Sequence, residues 1–192
     1  VFRSFPPVTS PTRFFPNLPA IVAGTSPTWE VLPSVSRTMD FRVTIRDNAP
    51  GGGCTDEDDI ALEFFNSAGP FAVTGPATAD CFAAEGPMAV SWNVAGTNAG
   101  DVNCANVDIV LSIDGGLTFP TVLLAGTPND GTQSVTLPDV LTDQARVMVR
   151  CSDNIFFNIS PGDFSIECIS NLVVTDNPAS GTYEARQQVS TA

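Results

Sequence analysis

The sequence predicts an all-β chain, and three observations favour this fold class. The 192 residues include 15 Gly and 16 Pro, which divide the chain with turns. Only 15% of the residues are charged and 43% are hydrophobic, which is enough apolar surface for packed cores. Short segments of alternating apolar and polar residues recur along the chain, and no helical period or longer repeat competes with them. We expect two β-sandwich modules, the first of them incomplete.

The N-terminal 20 residues predict an extended segment. Five prolines stand there among four phenylalanines. Proline inside a helix removes a hydrogen-bond donor and clashes with the preceding turn, so we expect no regular helix in this segment. The phenylalanine side chains are expected to anchor it to the surface of a domain.

A long hairpin is predicted within the first module, residues 1–68. In its first strand, Phe41, Val43 and Ile45 alternate with polar residues, so one face is expected to be buried. Residues 47–59 are acidic and rich in glycine, and they are interpreted as a long loop. The second strand is expected to begin only after this loop.

Residues 69–168 predict a second, complete module. Residues 88–94 and 107–113 alternate cleanly, and about five further short strands follow them between turn residues. Seven or so short strands of this kind are typical of an immunoglobulin-like or fibronectin type III-like sandwich. Residues 169–192 are expected to be a linker to a further module, so the chain is interpreted as part of a longer polypeptide.

Five cysteines in a strand-rich, acidic chain favour disulfides and a secreted or cell-surface location. The order of the predicted strands places Cys104 and Cys151 at one end of the second sandwich, and we expect them to be paired. Cys81 and Cys168 fall at the opposite end, which predicts a second disulfide. Cys54 is left in the acidic loop.

Composition excludes several kinds of chemistry. All eight basic residues are arginines, and the chain has no histidine and no lysine. A Ser-His-Asp triad, a histidine-ligated zinc and a lysine Schiff base are therefore excluded within this chain. We expect it not to be an enzyme and to require no cofactor. A net charge of −13 opposes nucleic acid as a partner, and no apolar run is long enough for membrane insertion.

The acidic loop is a candidate calcium site. Asp47, Asp56, Asp58 and Asp59 offer the oxygen ligands that calcium prefers, and the neighbouring glycines let carbonyl groups turn inward. The spacing does not match an EF-hand loop. The alternative is an acidic loop that binds only water.

Two further features are singled out. Trp29 is a candidate for stacking on a ligand such as a sugar, whereas Trp92 alternates with core residues and is expected to be buried. The run from Ser112 to Phe119 resembles the Asp-box turn of sialidases. We interpret it as a structural turn in which Asp114 accepts backbone hydrogen bonds.

Eight short segments of this sequence, spread over roughly residues 2–166, together carry a family resemblance. They are Arg13-Phe14-Phe15-Pro16, Trp29-Glu30-Val31-Leu32-Pro33, Phe41-Arg42-Val43-Thr44-Ile45-Arg46-Asp47-Asn48, Ala68-Gly69-Pro70-Phe71-Ala72-Val73-Thr74, Val90-Ser91-Trp92-Asn93-Val94-Ala95-Gly96-Thr97, Val102-Asn103-Cys104-Ala105-Asn106-Val107-Asp108-Ile109, Leu117-Thr118-Phe119-Pro120 and Asn154-Ile155-Phe156-Phe157-Asn158-Ile159-Ser160. In this order they resemble a region that lies downstream of the catalytic domain in secreted bacterial reprolysin-like zinc metallopeptidases.

The resemblance implies a non-catalytic spacer and interaction region that positions a protease domain, or that binds substrate or cell surface. The family's HExxHxxGxxH zinc motif has no counterpart here, because this chain lacks histidine. The implied partners are a protease domain of the same polypeptide and an extracellular protein or glycan. A free-standing adhesin or carbohydrate-binding module is the main alternative, and a carboxylate-based glycosidase is the second.

Overall fold

The computed structural model describes residues 2, 6, 8–10, 12–25 and 27–167, and the backbone of 172–177 and 182–187. The described part of the chain is all-β apart from one short helix, and the predicted fold class is confirmed. Its elements are α1 Leu18–Val22, β1 Arg37–Arg46, β2 Thr55–Phe64, β3 Ala72–Gly75, β4 Cys81–Phe82, β5 Pro87–Asn93, β6 Asn106–Ser112, β7 Thr121–Pro128, β8 Thr132–Thr136, β9 Thr142–Cys151, β10 Phe157–Ile159, β11 Phe164–Ile166, β12 Leu172–Asn177 and β13 Thr182–Gln187.

Strands β3 to β11 form a β-sandwich, as predicted for the second module. One sheet has the order β3-β5-β8, and the other has the order β4-β11-β9-β6-β7, with β10 also paired to β9. Neighbouring strands run antiparallel except β4 and β11, which are parallel. The order, with β6 and β9 adjacent at the centre of one sheet, resembles that of immunoglobulin-like domains.

The core of the sandwich lies between the two sheets. In β5, Met88, Val90 and Trp92 are buried and alternate with more exposed residues, as expected for a strand with one face in the core. In β9, five consecutive residues from Ala145 to Val149 are buried, so both faces of this strand are covered. A strand that is covered on both faces has a nearly continuous run of apolar residues, so its sequence does not alternate between apolar and polar residues.

The N-terminal segment covers the outer face of the larger sheet. Leu18 packs with Val110 and Met148 in a second apolar cluster, and Phe14 contacts Phe157 at a ring distance of 5.2 Å. The expectation that phenylalanine anchors this segment is therefore confirmed at Phe14. The burial of Val110 and Met148 depends on it.

The expectation that the first 20 residues contain no helix was wrong. Helix α1 begins at Leu18, and the Asn17 side chain caps it by accepting a hydrogen bond of 3.0 Å from the Ala20 N–H. Pro19 lies in the first turn, where a proline N–H is not needed for the helical hydrogen bonds. The proline is therefore accommodated in the first turn of the helix and does not block it.

Strands β1 and β2 form a continuous antiparallel hairpin, paired without a break from Arg37 with Phe64 to Arg46 with Thr55. The second strand begins at Thr55, so the prediction that residues 47–59 form a loop was wrong for the last five of them. In the described part of residues 1–68, α1 and this hairpin are the regular elements, and no second sheet faces the hairpin. The first module is thus incomplete in the part that the structure describes.

A disulfide joins Cys104 and Cys151, as predicted from strand order, and both residues are buried. Their Cα atoms are 6.1 Å apart. Cys54 is exposed and free. Cys81 is disulfide-bonded. Cys168 lies outside the described residues, so its predicted pairing with Cys81 stays a prediction.

The predicted linker, residues 169–192, contains regular structure. Strands β12 and β13 pair antiparallel as a separate two-stranded sheet. Two paired strands therefore lie within residues 169–192, and the role of these residues as a linker to a further module stays a prediction. Among the described residues, no helix is long and apolar enough to cross a membrane.

Candidate functional site

The hairpin of β1 and β2 is the candidate functional site because its outer half is in solvent. Every residue from 42 to 61 is exposed. The two strands are each ten residues long, whereas most other strands of the chain are shorter. A two-stranded sheet of this kind is marginally stable without a further strand or a packed face.

The strand register separates the predicted calcium ligands. Asp56 and Asp58 lie on one face of β2, opposite Ile45 and Val43, because each is paired directly with the residue across the ladder. Asp59 lies on the other face, opposite Arg42. Side chains of adjacent strand residues point to opposite faces, so these three carboxylates do not converge.

The fourth predicted ligand, Asp47, supports the turn of the hairpin. Its Oδ1 atom accepts hydrogen bonds of 3.1 Å from the Ala49 N–H and 3.0 Å from the Cys54 N–H. These two backbone hydrogen bonds hold the pKa of Asp47 below its ordinary value. A Cβ on Gly53 would lie 2.7 Å from Asp47 Oδ1, so a larger residue at that position would displace the Asp47 carboxylate. Asp47 thus has a structural role in closing the turn.

The carboxylate of Asp59 forms an ion pair with Arg42. The guanidinium of Arg42 donates to both oxygens of Asp59, at 2.6 and 2.7 Å, and to Glu57 at 2.8 Å. The hydrogen bond from Arg42 lowers the pKa of Asp59, and the same pair raises the pKa of Arg42. These side chains are more than half exposed, so the pair contributes little to stability.

The structure therefore does not bring Asp47, Asp56, Asp58 and Asp59 together. Within the described residues, the one group of three possible ligand residues with atoms close enough for a shared metal is Cys104, Cys151 and Asp153. Its two sulfur atoms are bonded to each other and cannot act as thiolate ligands. Calcium binding stays an untested expectation.

The face of the hairpin that carries Phe41 and Ile60 is mixed, because Asp58 and Asp56 lie on it directly across from Val43 and Ile45. Phe41 contacts the rings of Phe2 and Phe15, at 5.3 and 5.6 Å, near the base of the hairpin. Towards the tip, this face is uncovered: Val43, Ile45 and Ile60 are 57%, 65% and 54% exposed. The sequence-based prediction that this face of β1 is buried was wrong for its outer half. Apolar side chains grouped in this way are typical of an interaction surface.

A depression of about 480 Å³ lies at the middle of the hairpin. It is lined by Asp40, Phe41, Arg42, Asp59, Ile60 and Ala61. These residues come from both faces of the hairpin, so the depression is open and follows the strands. It does not enclose a small molecule.

Trp29 is 44% exposed, which agrees with the expectation that its side chain reaches solvent. Its neighbour Glu30, which the sequence analysis missed, is 2% exposed. The Glu30 carboxylate accepts hydrogen bonds from Arg13 at 3.0 Å, from the Asn17 N–H at 2.8 Å and from the Asn17 side chain at 3.0 Å. Glu30 is the single charged residue in 14–36. A lone charge in an otherwise uncharged segment could have predicted that Glu30 has a specific partner.

The Asp-box-like turn between β6 and β7 is structural, as predicted. Asp114 accepts hydrogen bonds from the N–H groups of Leu117 and Thr118, at 3.0 and 2.9 Å, and from the hydroxyls of Ser112 and Thr118. Burial acts to raise the pKa of Asp114, but these hydrogen bonds outweigh it and lower the pKa to about 2. The carboxylate is held ionised as the centre of the turn.

Trp92 is buried, as predicted, and forms part of a polar network beside the disulfide. Its indole N–H donates to the side chain of Asn129 at 2.8 Å. The Asn129 amide in turn donates to the Thr97 hydroxyl and to the Cys104 carbonyl, each at 3.1 Å. The network fixes the end of the sandwich, and Trp92 is not available to a ligand.

Comparison of the sequence with known protein families and with curated proteins finds no match. The geometry of the hairpin and of the sandwich therefore carries the functional interpretation.

Proposed function

We propose that this chain is a non-catalytic spacer and interaction region of a secreted protein, and that the hairpin of β1 and β2 is its contact surface. The carrying observation is a group of uncovered apolar side chains on one face of a long, continuously paired hairpin, with Val43, Ile45 and Ile60 each more than half exposed. The sandwich of β3 to β11, cross-linked by the disulfide between Cys104 and Cys151, is a rigid support for that surface.

The acid groups support the non-catalytic part of the proposal. Among the described residues, the carboxyl groups with a clearly shifted pKa are Asp47, Asp59, Asp108 and Asp114, and each is lowered. A general acid in a glycosidase needs a raised pKa. The shifts therefore run opposite to those that a carboxylate-based glycosidase needs.

The extracellular part of the proposal is supported by the disulfide. Disulfides persist in oxidising compartments and are rare in the cytosol. The high acidity of the chain is also compatible with a protein that must stay soluble outside the cell.

The resemblance to secreted reprolysin-like metallopeptidases extends the proposal to a parent protein. In that parent, a protease domain in the same polypeptide cleaves protein substrates, and the hairpin holds the substrate or the cell surface nearby. No catalytic residue is carried over to this chain. The first step of the test is the full parent sequence, which we expect to contain an upstream HExxHxxGxxH motif.

The second step compares two kinds of cleavage by the full-length parent protein. A variant with Val43→Ser, Ile45→Ser and Ile60→Ser is expected to lose cleavage of a large protein substrate and to keep cleavage of a short peptide. The matched control replaces three apolar residues exposed on the sandwich, Val122, Leu141 and Ile155, by serine. Equal protein cleavage by both variants, or a parent without a protease domain, contradicts the proposal.

A carbohydrate-binding module is the second candidate, and the exposure of Trp29 favours it. The test is binding of the purified chain to a glycan array. Trp29→Ala is expected to abolish binding, whereas Val31→Ala, an exposed neighbour, is expected to leave it unchanged. Absence of binding by the unaltered chain contradicts this candidate.

A further inference from the structure

The hydrogen-bond phase of the hairpin identifies which backbone groups face its open edges. The Asp47 N–H donates to the Cys54 carbonyl and the Cys54 N–H donates to the Asp47 side chain, so the N–H groups of these two opposed residues both point inward, as in a hydrogen-bonded pair. Such pairs recur at every second residue of an antiparallel ladder, and the register of β1 and β2 is unbroken. The odd-numbered residues of β1 therefore bond to β2. The even-numbered ones direct their N–H and C=O groups to the open edge.

The two open edges differ in availability. At the edge of β2, the N–H groups of Glu57 and Asp59 donate to the side chains of Asp56 and Asp58, each at 3.0 Å. These two hydrogen bonds agree with the assigned hydrogen-bond phase, because both N–H groups point away from β1. They leave the edge of β2 partly blocked and strongly acidic. The described part of the chain places no such side chain on the outward N–H groups of β1. Among the residues that the structure describes, the edge of β1 is the open one.

The edge of β1 is also self-complementary about Phe41. If two copies of β1 pair antiparallel with Phe41 opposite Phe41, then Asp40 of each copy lies opposite Arg42 of the other. Thr38 lies opposite Thr44 in the same arrangement. All four are even-numbered residues, so the pairing matches the hydrogen-bond phase. Opposite charges and threonine pairs across a ladder are favourable.

The same pairing joins the apolar side chains of the two β1 strands. Met39 of one copy lies opposite Val43 of the other, and the two Phe41 side chains meet at the twofold axis, on the face that carries Ile60. Other registers are poorer: centring on Arg42 or on Asp40 places like charges opposite each other. Centring on Val43 shortens the overlap. The depression at Asp40, Phe41 and Arg42 lies at the proposed centre.

We propose that two copies of this chain associate through the β1 edge, with Phe41 on the twofold axis, to form a four-stranded sheet. The acidic β2 strands then lie at the two outer edges, as far apart as the sheet permits, which limits repulsion between two chains of net charge −13. The proposal goes beyond the proposed function and does not depend on a protease parent.

Disulfide trapping tests the register. In a Cys54→Ser background, Phe41→Cys is expected to form a cross-linked dimer on oxidation, because the two Cβ atoms would be about 4.5–5.5 Å apart. Ile60→Cys is the matched control: it lies directly across the ladder from Phe41, but two copies of it would be about 14 Å apart. Cross-linking through Ile60→Cys alone overturns the proposal.

Edge blocking tests the association without a new cysteine. Thr44→Pro removes an outward N–H of β1 and leaves the ladder to β2 intact, so we expect a monomer by light scattering after size exclusion. Glu57→Pro, directly across from Thr44, removes an outward N–H of β2 and is expected to stay dimeric. A monomeric unaltered chain at all concentrations, or a dimer that survives Thr44→Pro, overturns the proposal. A chain that stays monomeric and binds only an unrelated extended peptide at this edge also overturns the proposal.

Charge reversal separates the specific pair from net charge. Asp40→Arg places like charges opposite each other in the dimer, and we expect its dissociation constant to rise at least tenfold. Glu63→Arg makes the same change in net charge on β2 and is expected not to weaken the dimer. An equal effect of the two variants contradicts the proposed register.

Discussion

At the scale of single residues, the polar groups that matter most are those with several partners. Asp114 accepts four hydrogen bonds from three residues of one turn through its two oxygens, and Glu30 joins the N-terminal segment to the cap of α1. By contrast, Arg42 has two acidic partners and is exposed. Exposed ion pairs contribute little because water competes for both charges. The number of hydrogen-bond partners of a side chain, together with its burial, therefore identifies the residues that stabilise the fold.

Asp114→Asn is expected to lower stability at neutral pH by about 1–2 kcal/mol, after allowance for solvent screening. The pKa of Asp114 is lowered from 3.8 to about 2 in the folded protein, so its contribution is present above pH 3.8 and is lost as the pH falls towards 2. Urea unfolding at pH 7 and pH 2 measures this. The variant should be less stable at pH 7 and nearly equal at pH 2, and the exposed Asp101→Asn serves as control.

Glu30→Ala is expected to destabilise the protein by about 2–3 kcal/mol, because it leaves the Asn17 N–H and the partly buried Arg13 without this carboxylate. The loss should be local to the N-terminal segment, which limited proteolysis detects as faster cleavage around α1. Glu63→Ala, at an exposed position of β2, is the control. Equal proteolysis of the two variants would show that Glu30 does not hold this segment.

At the scale of elements, α1 is stabilised by its packing on the larger sheet. The helix has only five residues, which is too short to be stable alone. Leu18→Ala is expected to cost about 2–3 kcal/mol in urea unfolding, because Leu18 is buried against Val110 and Met148. Val35→Ala, 58% exposed, should change stability by less than about 0.5 kcal/mol. A small effect at Leu18 would contradict the packing described.

The same scale shows what sequence patterns could and could not predict. The alternation of β5 reports one buried face, and it located Trp92 correctly in the core. The start of β2 was missed because its acidic residues have low strand propensity, and cross-strand pairing with β1 outweighs that propensity. The position of α1 was missed because a proline was treated as a helix breaker when it lies in the first turn. In both cases tertiary or positional context decided the structure.

The calcium prediction placed its four ligands on one loop, 47–59, whereas the structure makes the last five of these residues part of β2. Acidic residues close in sequence converge only if the backbone between them turns, and a strand sends neighbours to opposite faces. Asp58 and Asp59 are therefore separated by their own ladder. The Cys104–Cys151 prediction succeeded because strand order alone brings the two cysteines to one end of adjacent strands, β6 and β9.

At the scale of the whole molecule, the sandwich is built from strands that pair although they are distant in sequence. Its disulfide is expected to be a main source of stability. The bond between Cys104 and Cys151 spans 47 residues of sequence. The loss of chain entropy in the unfolded state corresponds to about 4 kcal/mol for a loop of this size.

Cys104→Ala with Cys151→Ala is therefore expected to lower the free energy of unfolding by about 4 kcal/mol or to prevent folding. Far-ultraviolet circular dichroism during urea unfolding measures the change. Cys54→Ser is the matched control, because Cys54 is exposed and free, and its unfolding curve should overlay that of the unaltered chain. If the double variant unfolds at the same urea concentration, then the packing of β6 against β9 and the Trp92 network hold this end of the sandwich without the covalent bond.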